Sequence, residues 1–183
     1  PTSPVTENDY RKLFIDIQGV KNCWLTVHEK QVFADLKEGK LSYDSADTSH
    51  LTTNLKDDFL LKGLYDVYVD YEDGIEEIVD DINDEIKRRF HANRNLCEDL
   101  VSIKPINQYP IKICADIEVE TTADEEKIHA LVLNAIDNYF SPSVNFYSIQ
   151  QMLDKGYGSN EIFDGPILDN GFIENEELAK ADL

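Results

Sequence analysis

The feature that most constrains this chain is a repeated change of hydrophobic period along residues 61–149. The stretch "LYDVYVDY", residues 64–71, alternates apolar or aromatic side chains with polar ones, which is typical of a β-strand. Apolar side chains then recur at helical spacing from Ile75 to Phe90, and the cations at 87–89 suit the negative end of a helix dipole. This first unit therefore predicts a strand followed by a helix.

The second unit repeats the pattern with one more strand. "LVSIKPI" (100–106) and "IKICADIEVE" (111–120) both have strand character, and "SVNFYSI" (143–149) supplies another strand. Between them, residues 121–140 predict a helix that begins with a capping box of Thr122 and Glu125. Its predicted buried stripe consists of Ile128, Leu131, Ala135, Ile136 and Tyr139. The order strand–helix–strand–strand–helix–strand predicts an α+β fold of the split βαβ, ferredoxin-like type, with an antiparallel sheet and both helices on one face.

Two further segments flank this predicted domain of residues 61–149. Residues 1–60 predict a helix capped by Thr6 and Asp9, then a strand and a β-hairpin with its turn at "KEGK". The polar, aperiodic stretch 44–60 is interpreted as a loop or short helix and as a hinge. Residues 150–183 mix glycines and turns with apolar side chains, which predicts an irregular C-terminal arm that buries those side chains against another surface. Because the sequence starts "PTSPVTEND" without a methionine, we expect a piece of a longer polypeptide.

Charge and cysteine content narrow the classes of partner. The formal net charge of −20 disfavours nucleic acid and anionic membrane surfaces, since phosphate binding needs clustered Lys and Arg. No apolar run approaches the length of a membrane-spanning helix. Three cysteines without CxxC spacing indicate buried free thiols in a reducing compartment.

The sequence shows no motif with the residue spacing of a catalytic or metal-binding site. The four histidines show no HxxxH or HExxH spacing, and "DYEDG" does not meet the calcium-loop pattern. Cys97 follows His91 by six residues, yet no oxyanion donor or orienting partner can be named. We therefore predict no catalytic, cofactor-binding or metal-binding residues and no small-molecule substrate. Two alternatives stay open: a small-molecule-binding regulatory α+β domain, and a carboxylate-based metal-dependent hydrolase.

The stretch "HANRNLCEDL" (91–100) holds residue types that are common in active sites, at a place where a helix must end. Asn93 or Asn95 can take the left-handed conformation that terminates a helix, and His91 can cap its last carbonyl groups. Arg94 is placed to pair with Glu98 or Asp99, or to reach across an interface. Both interpretations describe architecture rather than a reactive centre.

"HANRNLCED", together with "IQGVKNCWL", "GLYDVYVDYED" and "SNEIFDGPILDNGFI", resembles the baseplate J-like proteins of contractile injection systems and phage-like tails. The matching segments run in order from about Val20 to Leu178, and residues 30–60 carry little of the likeness. The resemblance implies a structural wedge component of the baseplate, without catalytic residues.

The same resemblance implies the partners. They would be other baseplate wedge subunits and further copies of this chain in a sixfold assembly, built in the cytoplasm and then carried in the contractile particle. For such binding we predict interface roles for six residues: His91, Arg94, Asn95, Tyr157, Phe163 and Phe172.

Overall fold

The computed structural model describes residues 2–107, 109–120 and 124–180. Short 3-10 turns at 45–48, 53–55 and 76–78 join some of its elements. The described helices and strands are, in chain order, α1 (Glu7–Ile15), β1 (Val20–Val27), β2 (Lys30–Asp35), β3 (Lys40–Ser42), β4 (Lys56–Leu61), β5 (Leu64–Tyr71), α2 (Val79–Asn93), β6 (Asp99–Pro105), α3 (Glu125–Phe140), α4 (Ile149–Asp154), α5 (Ser159–Ile162) and α6 (Asn175–Lys180). None of the described helices combines the length and the apolar character that crossing a membrane requires.

The larger sheet has the strand order β1-β5-β6. β1 runs antiparallel to β5, whereas β5 and β6 are parallel and are connected by α2. Helices α1 and α2 pack on the same face of this sheet, so the core is a helical layer on a three-stranded sheet.

The core consists of the apolar stripes of the two helices and the inward positions of β1 and β5. Phe14, Val67, Val69, Ile86 and Phe90 are completely buried. The Tyr10 ring lies 5.1 Å from the Phe90 ring, centroid to centroid, and joins α1 to α2. The alternation predicted for 64–71 is confirmed, because the odd-numbered side chains of β5 face this core.

The structure confirms the α+β class but not the split βαβ arrangement. Within the described residues, 109–120 form no strand, and the predicted strand 143–149 contributes only an isolated bridge between Tyr147 and Phe172. The place of the third strand is taken by β1, and the second helix on the sheet is α1 rather than α3. The prediction treated residues 1–60 and 61–149 as separate units, so it could not place β1 and α1 on the sheet formed by β5 and β6.

The loop or short helix predicted at 44–60 is confirmed over 44–55, which contains short 3-10 helices at 45–48 and 53–55, but it is wrong for the residues that follow. Residues Lys56–Leu61 form β4, which pairs antiparallel with β2 in a small sheet of order β3-β2-β4. Most of β4 is exposed and its first residues are charged, as is common for an edge strand. Because the charged residues of this edge strand break the alternation of apolar and polar side chains, the strand was predicted as a loop. The predicted hairpin is confirmed by the pairing of β2 with β3.

The helix starts are confirmed in part. Thr6 caps α1 and forms a reciprocal capping box with Asp9. The N-cap of α3 is Asp124, whose side chain accepts a hydrogen bond from Lys127 N, whereas the predicted cap Thr122 lies outside the described residues. The buried stripe predicted for α3 is wrong, because no residue of this helix is buried. The boundaries predicted at 60/61 and 149/150 stay predictions.

Candidate interaction surfaces

The exit from α2 is held by bonds within the chain. Arg94 N donates to Phe90 O over 2.7 Å, which is the last helical hydrogen bond of α2. The Arg94 guanidinium then donates to the Asp99 carboxylate and to the Glu98 carbonyl, each at 3.2 Å. His91 is exposed, and its Nδ1 lies 3.9 Å from the Asp99 carboxylate. The predicted local pairing of Arg94 is therefore present, while His91 and Arg94 remain accessible to a partner.

Asn95 joins this exit to the start of the chain. Its Nδ2 donates to Pro4 O at 3.2 Å, to the Tyr10 hydroxyl at 3.2 Å and to Glu98 Oε2 at 3.1 Å. The Tyr10 hydroxyl in turn donates to Glu98 Oε2 at 2.7 Å. Burial, together with the neighbouring Glu98 carboxylate, raises the pKa of Tyr10. Asn95 thus positions two segments that are far apart in sequence.

The left-handed residue of this exit is not the one predicted. Neither Asn93 nor Asn95 has positive φ; among the described non-glycine residues, Cys97 has it, with φ 67°. Asn93 instead donates its Nδ2 to Arg89 O at 2.8 Å. The chain turns at Cys97 because Asp99 N must reach Gly63 O at 2.8 Å, where β6 meets β5. This tertiary demand has no local sequence signal.

A buried carboxylate fastens the C-terminal arm to the two core helices. Asp16, just after α1, is 2% exposed and accepts hydrogen bonds from Arg89 Nη1 at 2.8 Å and from the backbone N of Asp169 and of Asn170, each at 2.9 Å. Arg89 also donates to the Asp169 carboxylate at 3.1 Å. Sequence analysis missed this set, since its members lie in three separate segments.

The arm was predicted to be irregular, but it contains the short helices α4, α5 and α6 and packs in part on its own chain. Ile162 and Ile173 are buried, whereas Ile167, another apolar residue of the arm, is 75% exposed. Of the predicted interface residues, Tyr157 and Phe172 are half-buried and Phe163 is 45% exposed. The rings of Phe163 and Phe172 meet edge to face at 5.6 Å. The structure thus brings two of the three aromatics together at one accessible place.

Ser102, His28 and Asp66 form a polar cluster on the outer face of the larger sheet. His28 Nδ1 lies 2.8 Å from Asp66 Oδ2, Ser102 donates to Asp66 Oδ1, and Lys104 Nζ lies 3.7 Å from the same carboxylate. Burial opposes ionisation of Asp66, yet the hydrogen bonds from Ser102 and His28 and the charge of Lys104 lower its pKa. The carboxylate stands between the serine and the histidine, so the imidazole is not placed to take the proton of the serine hydroxyl. The cluster links β5 and β6 to the residue that follows β1.

The segment 109–140 leaves many apolar side chains in solvent. Tyr109, Pro110 and Ile111 share a groove of about 680 Å³ with Tyr139 and Phe140. Helix α3 has apolar residues on most of its circumference, which is the pattern of a helix that is covered on several sides. The large apolar residues exposed in this segment are Tyr109, Ile111, Ile113, Ile117, Val119, Leu131, Leu133, Tyr139 and Phe140; we call them the apolar face.

No group of three or more His, Cys, Asp or Glu side chains in the described part of the chain is arranged to hold a metal ion.

Comparison with known families gives two matches. The family model "Baseplate wedge Pvc12-like domain 2" matches residues 2–104, and "Baseplate wedge Pvc12-like domain 3" matches residues 107–182. The two matches meet at residues 105–106, where β6 ends. No curated protein matches the chain.

Proposed function

Since the chain belongs to the Pvc12-like baseplate wedge proteins, which are structural components of contractile injection systems, we propose that it works by binding neighbouring baseplate subunits. We propose further that it is assembled in the cytoplasm and that copies of it take part in a sixfold ring. The family resemblance supports this arrangement. In this proposal the chain acts without catalysis, as a connector whose core holds several binding surfaces in fixed positions.

The observation that carries the proposal is the apolar face. Nine large apolar residues of the segment 109–140 stay exposed, with Ile113 at 48%, Ile117 at 54% and Tyr139 at 80%. Many large apolar side chains exposed in one segment favour an interaction site, because their burial against a partner removes apolar surface from water at about 25 cal/mol per Å². A baseplate neighbour that covers this face would gain that free energy.

Replacing Ile113 and Ile117 together with serine is expected to weaken binding to the neighbouring baseplate subunits by about tenfold or more, because both side chains lose apolar contact area. The measurement is co-purification of the chain with co-expressed neighbouring subunits, followed by affinity determination. The matched control replaces Leu41 and Leu60, which are 67% and 49% exposed on the small sheet, with serine. Equal assembly of both double variants would contradict the proposal.

We propose that the helix exit and the arm add a second contact area, with the predicted residues His91, Arg94, Asn95, Tyr157, Phe163 and Phe172. Exposed aromatics and arginines contribute much of the binding free energy in protein interfaces, which supports roles for Phe163 and Arg94. Asn95 would act indirectly, since its amide bonds hold the exit in place.

Phe163→Ala is expected to reduce affinity for neighbouring subunits by about fivefold to thirtyfold while the thermal melting temperature stays nearly unchanged, because truncation of a central aromatic typically costs more than 1 kcal/mol of binding. Phe59→Ala is the control, as Phe59 is 46% exposed compared with 45% for Phe163. If Phe163→Ala assembles like the control, the arm is not an interface element.

A further inference from the structure

The larger sheet has one open edge. β6 lies at this edge, and no other strand in the described part of the chain pairs with it on the side away from β5. At the opposite edge, side chains occupy the backbone of β1: Arg11 Nε donates to Cys23 O, and Cys23 N donates to Asn22 Oδ1, each at 2.8 Å. The outer N–H and C=O groups of an edge strand can pair with a further strand, so β6 offers a place for one.

The core is also incompletely covered at this edge. Leu100 and Ile103 of β6 face the helical layer and pack against its core, but both stay half-buried. Val67, which is in register with Ile103 on the central strand β5, is completely buried. A further strand beside β6, with apolar side chains on the helical side, would remove the rest of these two side chains from water.

Segment 111–119 has the residue pattern of such a strand. In the described structure it has no secondary structure, and its side chains Ile113 and Ile117 are 48% and 54% exposed. In an extended chain its residues fall on two sides, with Ile111, Ile113, Ala115, Ile117 and Val119 on one side and Lys112, Cys114, Asp116 and Glu118 on the other. A strand with one apolar side is stabilised when that side is packed on a core.

The charged residues of β6 and of segment 111–119 favour a parallel arrangement. In β6, Asp99 comes first and Lys104 later; a bulge absorbs one residue between them, so they align with β5 residues that are four positions apart. Both side chains are partly exposed. In the segment, Lys112 comes first and Asp116 follows four positions later. Parallel pairing in this register places Lys112 next to Asp99. It also places Asp116 next to Lys104, and opposite charges on neighbouring strands are stabilising.

The same register suits the apolar side chains. It places Ile113 next to Leu100, on the side of the sheet that carries the helices. Ala115 then lies next to Ile103 on the same side. A shift by one residue would turn the apolar side of the segment away from the core. One register therefore meets the requirements of both charge and burial.

The chain cannot form this pairing with its own β6. Only five residues, 106–110, separate the end of β6 from the segment, whereas a parallel connection needs about a dozen or more. A hairpin within the chain would be antiparallel. It would place Lys112 next to Lys104 and Asp116 towards Asp99, and like charges opposite each other are destabilising. Parallel pairing therefore requires a second copy of the chain.

We propose that segment 111–119 of one copy pairs in parallel with β6 of a second copy and adds a fourth strand to its larger sheet. This inference rests on the proposed function, because it names the partner of part of the apolar face. The strand of one copy meets a different surface, the β6 edge, on the next copy. Such a head-to-tail contact can repeat from copy to copy around a ring.

Disulfide trapping tests the proposal in the full chain, because the register places Cys114 of the donor copy beside Ser102 of the acceptor copy. The donor carries Cys97→Ser; the acceptor carries Cys97→Ser, Cys114→Ser and Ser102→Cys. Neighbouring strands lie about 4.8 Å apart, which is within the Cα–Cα range of a disulfide. Under mild oxidation we expect about tenfold more mixed disulfide than with a control acceptor that carries Ser45→Cys instead, at an exposed position in the 3-10 turn at 45–48.

Charge reversal in the donor tests the direction of pairing. Lys112→Glu combined with Asp116→Lys, both at exposed positions, should lower the yield of the mixed disulfide by about tenfold, since like charges then meet on the two strands. Lys37→Glu combined with Glu38→Lys is the matched control, because it reverses two charges in an exposed turn and leaves the net charge the same. This control donor should cross-link as the donor without charge reversal does.

Equal yields from the Ser102→Cys and Ser45→Cys acceptors, or a yield that the donor charge reversal leaves unchanged, would overturn the proposal. Amide hydrogen exchange supplies a readout without any substitution in β6. In the unmodified chain, the β6 amides should exchange more slowly as the chain concentration rises, whereas the chain with reversed charges at 112 and 116 should show no such dependence. Exchange that is independent of concentration in both chains would also contradict the pairing.

The outcome is separable from that of the proposed function. If no mixed disulfide forms but the Ile113/Ile117 double variant loses assembly with the other subunits, the apolar face binds a different surface and only the strand pairing is wrong. If the disulfide forms as expected while the double variant assembles normally, the strand pairing stands and the apolar face is not where the other subunits dock.

Discussion

Replacing Arg89 with alanine is expected to lower the free energy of unfolding by about 3–5 kcal/mol, because it leaves a buried carboxylate without its cation. The Asp16 side chain is 0% exposed and the Arg89 side chain 16% exposed, with 2.8 Å between Arg89 Nη1 and Asp16 Oδ2. The same nitrogen donates to Leu13 O at 3.1 Å, so the variant also leaves a carbonyl near the end of α1 without this donor. Urea denaturation followed by circular dichroism measures the change.

Arg88→Ala is the matched control for this prediction. Arg88 is the adjacent residue of α2 and also pairs with a carboxylate, since its Nε lies 2.6 Å from Glu85 Oε2. Its side chain is 68% exposed, however, so water screens this ion pair and we expect Arg88→Ala to change the free energy of unfolding little. The two alanine variants change the same charge on the same helix and differ in burial. A loss of less than about 1 kcal/mol in Arg89→Ala would show that Asp16 is satisfied by Asp169 and Asn170 alone.

Replacing Gly63 with alanine is expected to cost about 3 kcal/mol of the free energy of unfolding. Gly63 has φ +86°, and the left-handed conformation costs an L-residue about 1–2 kcal/mol. A Cβ at this position would also lie 2.3 Å from the carbonyl oxygen of Cys97, so the backbone of the helix exit would have to move. Forced displacement in a packed region typically costs about 1–3 kcal/mol more.

Gly74→Ala separates the two contributions. Gly74 has φ +79°, close to that of Gly63, but a Cβ there meets no atom within 4 Å. This variant is expected to lose about 1 kcal/mol, which is the conformational cost alone. Thermal denaturation of both variants, monitored by calorimetry, gives the difference. Equal losses would mean that the Cys97 turn adapts to the new methyl group and that the junction of β5 with β6 is not tightly constrained.

The spacing of hydrophobic residues was sufficient to predict those helices and strands that bury one apolar face against one neighbouring surface. β5 was predicted from its alternation, and α1 and α2 from apolar side chains at helical spacing. These predictions succeed because the side chains concerned, such as Val67 and Phe90, are fully buried in the structure. The sequence was also sufficient to indicate the family, because the strings "HANRNLCED" and "SNEIFDGPILDNGFI" are long enough to be distinctive.

Only the tertiary structure decided which elements meet. Alternation at 111–120 predicted a strand in the sheet, yet β1 pairs with β5 instead. The alternation of apolar and polar residues shows which face of a strand is apolar, but it does not show which strand lies beside it. The Asp16–Arg89 pair and the turn at Cys97 likewise depend on segments far apart in sequence. The spacing of apolar residues within a segment shows which of its side chains must be buried. Which other segment covers those side chains depends on how the whole chain packs.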